Sequence, residues 1–579
     1  MRAPSHQQPS RTAFLVARRA LSPLLGHRLA LRLALLALLL SPSLPTTAAE
    51  GKREREHMVP MRDGVRLATD VHVPEGEGPF PTVLQRTPYN KSGVTAAYAY
   101  NERGYALVAQ DQRGRYRSEG TYEPHMNEIH DGYDTVEWIA AQPWSNGKVG
   151  VSGASAVGIA ANLAAAANPP HLVAAYVVVA PESLWEESRF IGGVFKEADT
   201  GNWMRGQGVG DDVVAALQRR VLLDERWQST DFFFLRHQVD IPIYNVGGWY
   251  DLFLKGTVNN FRYLQDWGAP GARGRQKIWI GPIGHGALSG DLVYPDGGDR
   301  ADRTEELRWF DYWLRGIDNG IANQPTVSYY MMAAARRGSP PSSANRWLQA
   351  ETWPPPGSRP VRLYLAEGGN LSWEAPQADA SRTAYRFDPA NPVPTVGGLN
   401  LTIARGPMDQ RAIPERPDYL RFESAPLDRD LVLAGELSAE LWVSTDGPDT
   451  DFAVKLVDVY PDGYEALVID SIQRARYRQG RRAEDVAMMT PGEPTHIVID
   501  LWHTAVTFEP GHRIAVHVTS SNHPRFEVNP NNGTAPGDRG APPRVATNLV
   551  FHELEHSSAL VLPVMDDTAP GLPEVARHR

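Results

Sequence analysis

A chain of 579 residues, 42% apolar and 22% charged, can bury two or three hydrophobic cores, which excludes a single small domain and fits a soluble globular protein. Its net charge of -10 is mild for this length and no long basic run follows the leader, so nucleic acid is excluded as an expected partner. Without cysteine there is no disulfide, no thiolate metal site and no lipid-modified N-terminus.

Residues 1–49 read as a signal peptide. Arg2, Arg11, Arg18, Arg19, Arg28 and Arg32 precede an apolar Leu33 to Leu40 core, and Thr47-Ala48-Ala49 offers the small residues that signal peptidase needs, with cleavage expected after Ala49. The apolar run is too short to span a bilayer and no later segment qualifies. A periplasmic or secreted protein without a membrane span is therefore expected.

Thr82 to Gln85 reads as a buried strand, and the loop Thr87-Pro88-Tyr89 follows it. Lys148-Val149-Gly150-Val151-Ser152 is a second strand. It runs into Gly153-Ala154-Ser155-Ala156-Val157-Gly158 and then into Ala-rich helix from Ile159 to Ala167, stopped by Asn168-Pro169-Pro170. A sharp strand-to-helix turn forces strained backbone angles at the central residue, which is where serine hydrolases hold their nucleophile. The usual spacing is G-x-S-x-G, and here the second glycine comes one place late. Ser152 is the close competing hydroxyl.

Residues 182–238 are rich in aromatics and charge, including Trp185, Phe190, Phe195, Trp203, Trp227 and Phe232 to Phe234, and are expected to form a helical cap. Most of these rings should pack the cap onto the body, while some could line an acyl site. Glu182, Glu186, Glu187 and Asp199 read as a solvated helix face, with a grip on a cationic substrate as the alternative.

Ile241 to Val246 is a strand that passes through Gly247-Gly248-Trp249-Tyr250 to Asp251, and Lys277 to Ile280 is a strand that ends in Gly281-Pro282-Ile283-Gly284-His285. In a parallel sheet both strand ends lie on the same edge as the Ser155 turn. Ser155, Asp251 and His285 then stand in the order nucleophile, acid, base that this fold uses. Imidazole must remove the serine proton, and a carboxylate must hold the imidazole tautomer, so each residue type has a task. Asp240 precedes its strand, and His130, His171 and His237 lack a strand-end context.

Leu307, Phe310, Trp313 and Leu314 recur at helical spacing between Thr304 and Arg315. Beyond Pro354-Pro355-Pro356-Gly357 the chain turns into short alternating runs, among them Val361 to Leu365, Phe452 to Val459, His496 to Leu501 and Arg513 to Val518. These indicate a β-sandwich. His552-Glu553-Leu554-Glu555-His556 spells the zinc-protease pattern, but the flanking Asn548 to Phe551 and Ala559 to Val564 read as strands. In an extended segment the two histidines would stand roughly 13 Å apart, too far for one zinc ion.

The chain resembles the cocaine esterase family, which also holds glutaryl acylases, α-amino acid ester hydrolases and, more distantly, X-Pro dipeptidyl peptidases. The resemblance is carried by Met61-Arg62-Asp63-Gly64-Val65, Arg86-Thr87-Pro88-Tyr89, Asp111-Gln112-Arg113-Gly114-Arg115 with Ser118-Glu119-Gly120, Gly147-Lys148-Val149-Gly150, Gly247 to Asp251, Gly281-Pro282 with His285, and Ser520 to Phe526. It implies that Ser155, Asp251 and His285 form the family's triad, and that the Tyr89 hydroxyl joins the Ala156 N-H in the oxyanion hole. It also implies that the β-sandwich is a jelly roll. Two departures stand out. The family commonly has tyrosine where Ala156 stands, and Leu252-Phe253-Leu254 replaces the carboxylate pair with which the amino ester hydrolases hold an ammonium group.

The expected architecture is an α/β-hydrolase domain over residues 50–350, with the cap inserted at about 182–238, followed by a jelly-roll β-sandwich over 351–579. The expected function is an exported serine hydrolase that cleaves a small-molecule ester or amide through an acyl-enzyme and needs no cofactor. X-Pro dipeptidyl-peptidase or α-amino acid ester hydrolase activity is the alternative. A zinc metallopeptidase and a carbohydrate-binding protein with an inert body are remoter ones.

Overall fold

Ala106–Asp111 and Ile243–Tyr250 lack any alternation of exposed and buried positions, and all their residues are buried. Such runs belong to central strands of a parallel sheet covered on both faces. The computed structural model, which describes residues 52–566 except 54–55, 95, 298–302 and 539, places them so. The leader lies outside the described residues.

The strands of the first half are β1 (Lys52–Arg53), β2 (His57–Pro60), β3 (Arg66–Val73), β4 (Phe80–Thr87), β5 (Ala106–Asp111), β6 (Ser145–Ala154), β7 (Leu172–Val178), β8 (Phe190–Ile191), β9 (Val194–Phe195), β10 (Ile243–Tyr250), β11 (Lys277–Gly284), β12 (Val327–Met331) and β13 (Arg346–Ala350). β8 and β9 pair by themselves. The rest form one 11-stranded sheet in the order β1-β3-β5-β4-β6-β7-β10-β11-β12-β13, with β2 on β3. From β5 to β12 neighbouring strands are parallel, and antiparallel strands close both edges.

Alternate side chains of each strand point to opposite faces. Leu84 and Val108 join a core with Val136 and Ile159 of the helices Glu128–Ala140 and Ala156–Ala166. Val83 and Leu107 join a separate core with Trp309, Phe310 and Leu314 of the helix Arg303–Arg315. Between β7 and β10 lies the cap. It consists of two π-helical turns, Leu184–Arg189 and Glu197–Gly201, the β8–β9 hairpin, and the short helices Asn202–Gly206, Asp211–Gln218, Glu225–Thr230 and Phe232–Leu235.

The second half is β-rich: β14 (Ser358–Ala366), β15 (Asn370–Ser372), β16 (Arg382–Phe387), β17 (Leu420–Glu423), β18 (Leu431–Thr445), β19 (Asp451–Val459), β20 (Glu465–Arg474), β21 (Thr495–Phe508), β22 (Arg513–Thr519), β23 (Ala546–Phe551) and β24 (Ala559–Met565). They pair in the order β16-β23-β18-β24-β14-β15-β17-β22-β19-β20, with β21 on β18. One apolar core runs from Trp249 and Tyr329 of the first sheet through Trp353 to Leu433 and Val518 of the second. Among the described residues no helix is long and apolar enough to cross a membrane.

Candidate active site

β6 ends at Ala154, and Ser155 makes the turn into the helix with φ 57° and ψ -126°. A non-glycine residue rarely adopts this conformation, and the surrounding bonds impose it. The Ser155 N-H donates to the Val178 carbonyl at 3.0 Å while its own carbonyl accepts from Ile159 N at 2.8 Å. The late glycine has a local reason. A Cβ on Gly158 would sit 3.0 Å from the Gly153 and Val178 carbonyl oxygens, whereas Val157 lies over Gly153, whose own Cβ would meet Val157 Cγ1 at 2.4 Å. Ser152 is buried and donates its hydroxyl to Glu306.

Asp251 is the first residue after β10, and His285 the first after β11. Asp251 Oδ2 lies 2.7 Å from His285 Nδ1, and His285 Nε2 lies 2.8 Å from Ser155 Oγ. The carboxylate is fully buried, and its other oxygen accepts the Phe253 N-H at 2.8 Å. Phe253 meets the imidazole edge to face. Sequence reasoning missed Arg405, which reaches in from the loop between β16 and β17. It donates Nη1 to the His285 carbonyl and Nη2 to the Leu401 carbonyl, the latter at 2.8 Å. Its side chain fills the space over Gly284 and Gly286, where a Cβ would meet it at 3.1 and 3.0 Å. No local signal in the sequence ties Arg405 to His285.

Tyr89 stands two residues beyond β4. Its hydroxyl accepts from Trp203 Nε1 at 2.9 Å. Partial burial pushes the phenol pKa up, against the hydrogen bond from Trp203. The phenolic proton thus remains available to an acceptor beside Ser155. Ala156 opens the helix, so its N-H has no intrahelical acceptor and carries the positive end of the dipole. Arg115 pins this loop to the cap: Nε donates to Pro88 O at 2.9 Å and Nη1 to Gln207 O at 2.7 Å.

Ser155 and Ala156 open onto a pocket whose walls include Ile159, Leu252, Phe253 and Leu401. Of the cap aromatics, Trp203 lines it, while Phe190, Phe195, Trp227 and Phe232 are buried in cores. The expected solvated face of cap carboxylates is not found. Glu182, Glu187 and Asp199 are buried, because each is engaged within the fold, Glu182 and Glu187 by the helix Leu254–Trp267 and Asp199 by Leu401 N. Glu187 accepts the N-H groups of Glu182 at 3.0 Å and Gly256 at 2.7 Å, and Glu182 pairs with Arg236 at 2.6 Å. Glu186 is half-exposed and pairs with Arg481. Asp199 lines the pocket, while His125 and Arg189, which line it too, carry no pattern that a sequence window could reveal.

The segment from His552 to His556 is neither helix nor extended strand but the bent connection between β23 and β24, closed by a bridge from His552 to Ser557. His552 Nδ1 lies 2.7 Å from Ser381 Oγ and Nε2 lies 3.0 Å from Thr383 Oγ1, so both ring nitrogens are taken by hydroxyls. His556 pairs instead with Glu553 at 2.8 Å.

Residues 63–287 match the X-Pro dipeptidyl-peptidase (S15 family) model, and residues 319–561 match the X-Pro dipeptidyl-peptidase C-terminal non-catalytic domain. The cocaine esterase of Rhodococcus sp. (strain MB1 Bresler) is 31% identical over 88% of this chain and 98% of its own. An aminopeptidase from the marine sediment archaeon Thaumarchaeota archaeon superposes with a TM-score of 0.75 at 27% identity, covering 90% of this chain and 97% of that one. An α-amino acid ester hydrolase superposes with a TM-score of 0.75 at 26% identity, covering 90% and 100%.

Proposed function

Because this chain belongs to the cocaine esterase and X-Pro dipeptidyl-peptidase (S15) family of serine hydrolases, which act on esters or peptides, we propose that Ser155 is its nucleophile in a covalent acyl-enzyme mechanism. The observation that carries the reading is the chain of contacts from Ser155 Oγ to His285 Nε2 at 2.8 Å and from His285 Nδ1 to Asp251 Oδ2 at 2.7 Å. His285 takes the serine proton as Oγ attacks the carbonyl and gives it to the leaving group, and Asp251 holds the tautomer and stabilises the imidazolium. The Ala156 N-H and Tyr89 O-H face the developing oxyanion. Water then repeats the sequence on the acyl-enzyme.

The acyl group is proposed to be neutral or acidic rather than an α-amino acid or X-Pro dipeptide. Leu252 and Phe253 support this reading, since these two side chains offer an ammonium group nothing in exchange for its hydration, and the carboxylate in the same wall, Asp199, already faces Lys196 at 3.9 Å. The composition of residues 1–49 supports export to the periplasm or beyond, with removal of the leader after Ala49.

A fluorophosphonate probe is expected to label Ser155, and Ser155→Ala to abolish labelling and turnover together. Peptide mapping that finds the adduct on Ser152 would overturn the assignment.

A further inference from the structure

Six arginines of the described chain are buried, and five of them, Arg86, Arg474, Arg476, Arg481 and Arg525, each meet a carboxylate. Arg189 is the sixth. It is 3% exposed and lines the same pocket as Ser155 and Ala156. Its guanidinium donates to Ser188 Oγ at 3.1 Å and, at 3.5 Å, to the Pro124 carbonyl, and no carboxylate hydrogen-bonds to it. Burial lowers its pKa to about 10, which still leaves it charged at neutral pH. An unpaired buried cation is costly, and a preformed site for an anion is the arrangement in which that cost serves binding.

The groups around it leave this charge unspent. Asp231 is the carboxylate that acts on it through space, but its oxygens already accept from Ser183 Oγ at 2.7 Å, Trp185 N at 2.9 Å and Phe233 N at 3.1 Å. Asp199, also in the pocket, faces its own cation in Lys196 at 3.9 Å, both fully buried; its Oδ1 accepts Leu401 N at 2.7 Å, and its Oδ2 makes no hydrogen bond. His125 stacks on Trp203, and Trp203 lies against the guanidinium. Burial keeps His125 neutral, and its Nδ1 is buried in the pocket wall without a protein partner, a second donor in the Nδ1-H tautomer.

We propose that the acyl pocket takes an acyl group ending in a carboxylate, with Arg189 as the specificity-determining counter-ion and His125 as a second donor. Ile159, Leu252 and Phe253 then cover the methylenes between the two ends of the acyl chain. This rests on the hydrolase reading above. A guanidinium donates two parallel hydrogen bonds to a carboxylate, so anion and charge-neutral isostere are strongly separated.

The test is kcat/KM of the full chain on p-nitrophenyl hemisuccinate, hemiglutarate and hemiadipate, each corrected for spontaneous hydrolysis, against neutral and ω-amino isosteres of equal length. At one length the anion is expected to lead the neutral isostere by at least about tenfold, and Arg189→Gln to cut that ratio by about tenfold or more. Equal or better turnover of the neutral esters at every length overturns the proposal, and a lead for the amino esters overturns it in favour of Asp199. If Arg189→Gln does not fold, competitive inhibition of the unaltered enzyme decides: glutarate that inhibits no better than glutaramide overturns it. Fluorophosphonate labelling of the same samples separates the two readings. Labelled enzyme without anion preference removes only the pocket assignment, and unlabelled enzyme removes the hydrolase reading beneath it.

Discussion

Ser155 holds a backbone conformation that costs about 1–3 kcal/mol for a residue with a Cβ, and the β7 carbonyl and the helix it opens are what enforce it. The turn brings the hydroxyl and the Ala156 N-H to one point in front of His285. Tyr89 meets the same point from β4. Since Trp203 already donates to its oxygen, the Tyr89 hydroxyl is oriented to give its own proton away. Tyr89→Phe is therefore expected to lower kcat by about 10²- to 10³-fold with a smaller change in KM, because the donor acts mainly on the transition state. A loss below threefold would remove Tyr89 from the oxyanion hole. Single residues were legible where the element before them announced them: Ser155, Asp251 and His285 each follow a strand that reads as buried. Glu187 and Asp199 were not, because a carboxylate inside a cap looks in sequence like a carboxylate on its surface.

At the scale of elements, the turn after β6 tolerates a displaced glycine because the crowding falls on Gly158, which packs against β7, and not on position 157. Gly158→Ala places a methyl group against two carbonyl oxygens that belong to the sheet. It is expected to destabilise the protein by about 1–3 kcal/mol and to slow fluorophosphonate labelling of Ser155 as the helix start shifts. An unchanged melting temperature together with an unchanged labelling rate would show that the helix has room there. The cap uses its two π-helical turns in a comparable way. Leu184–Arg189 and Glu197–Gly201 set Arg189 and Asp199 into the pocket wall, and such wide turns commonly occur at functional sites.

Across the whole molecule, the second half of the chain completes the site that the first half begins. Arg405 anchors the carbonyl of His285, Leu401 forms part of the pocket wall, and the carbonyl of Pro524 accepts from Ala198 N of the cap at 3.0 Å. The Ser520 to Phe526 motif is thus a support for the cap, with Arg525 held at 2.5 Å by Asp470. Arg405→Met is expected to lower kcat by about 10- to 100-fold with little change in KM, since it loosens the imidazole and not the acyl pocket, and Arg405→Lys to recover part of the loss. Equal kcat in all three proteins would show that the β11 loop holds His285 unaided.

Periodicity and strand-end position are local properties. For that reason the sequence by itself determined the α/β class, the β-rich second half, and the placement of Ser155, Asp251 and His285 at strand ends, each of which needs only its own flanking strand to be recognised. Which charges are buried, which aromatic ring meets Tyr89, and why the second glycine stands at 158 depend on contacts between segments tens to hundreds of residues apart. Desolvation and close packing act only once those segments meet, so Arg189 without a partner carboxylate and Arg405 behind His285 were decided by the tertiary structure alone.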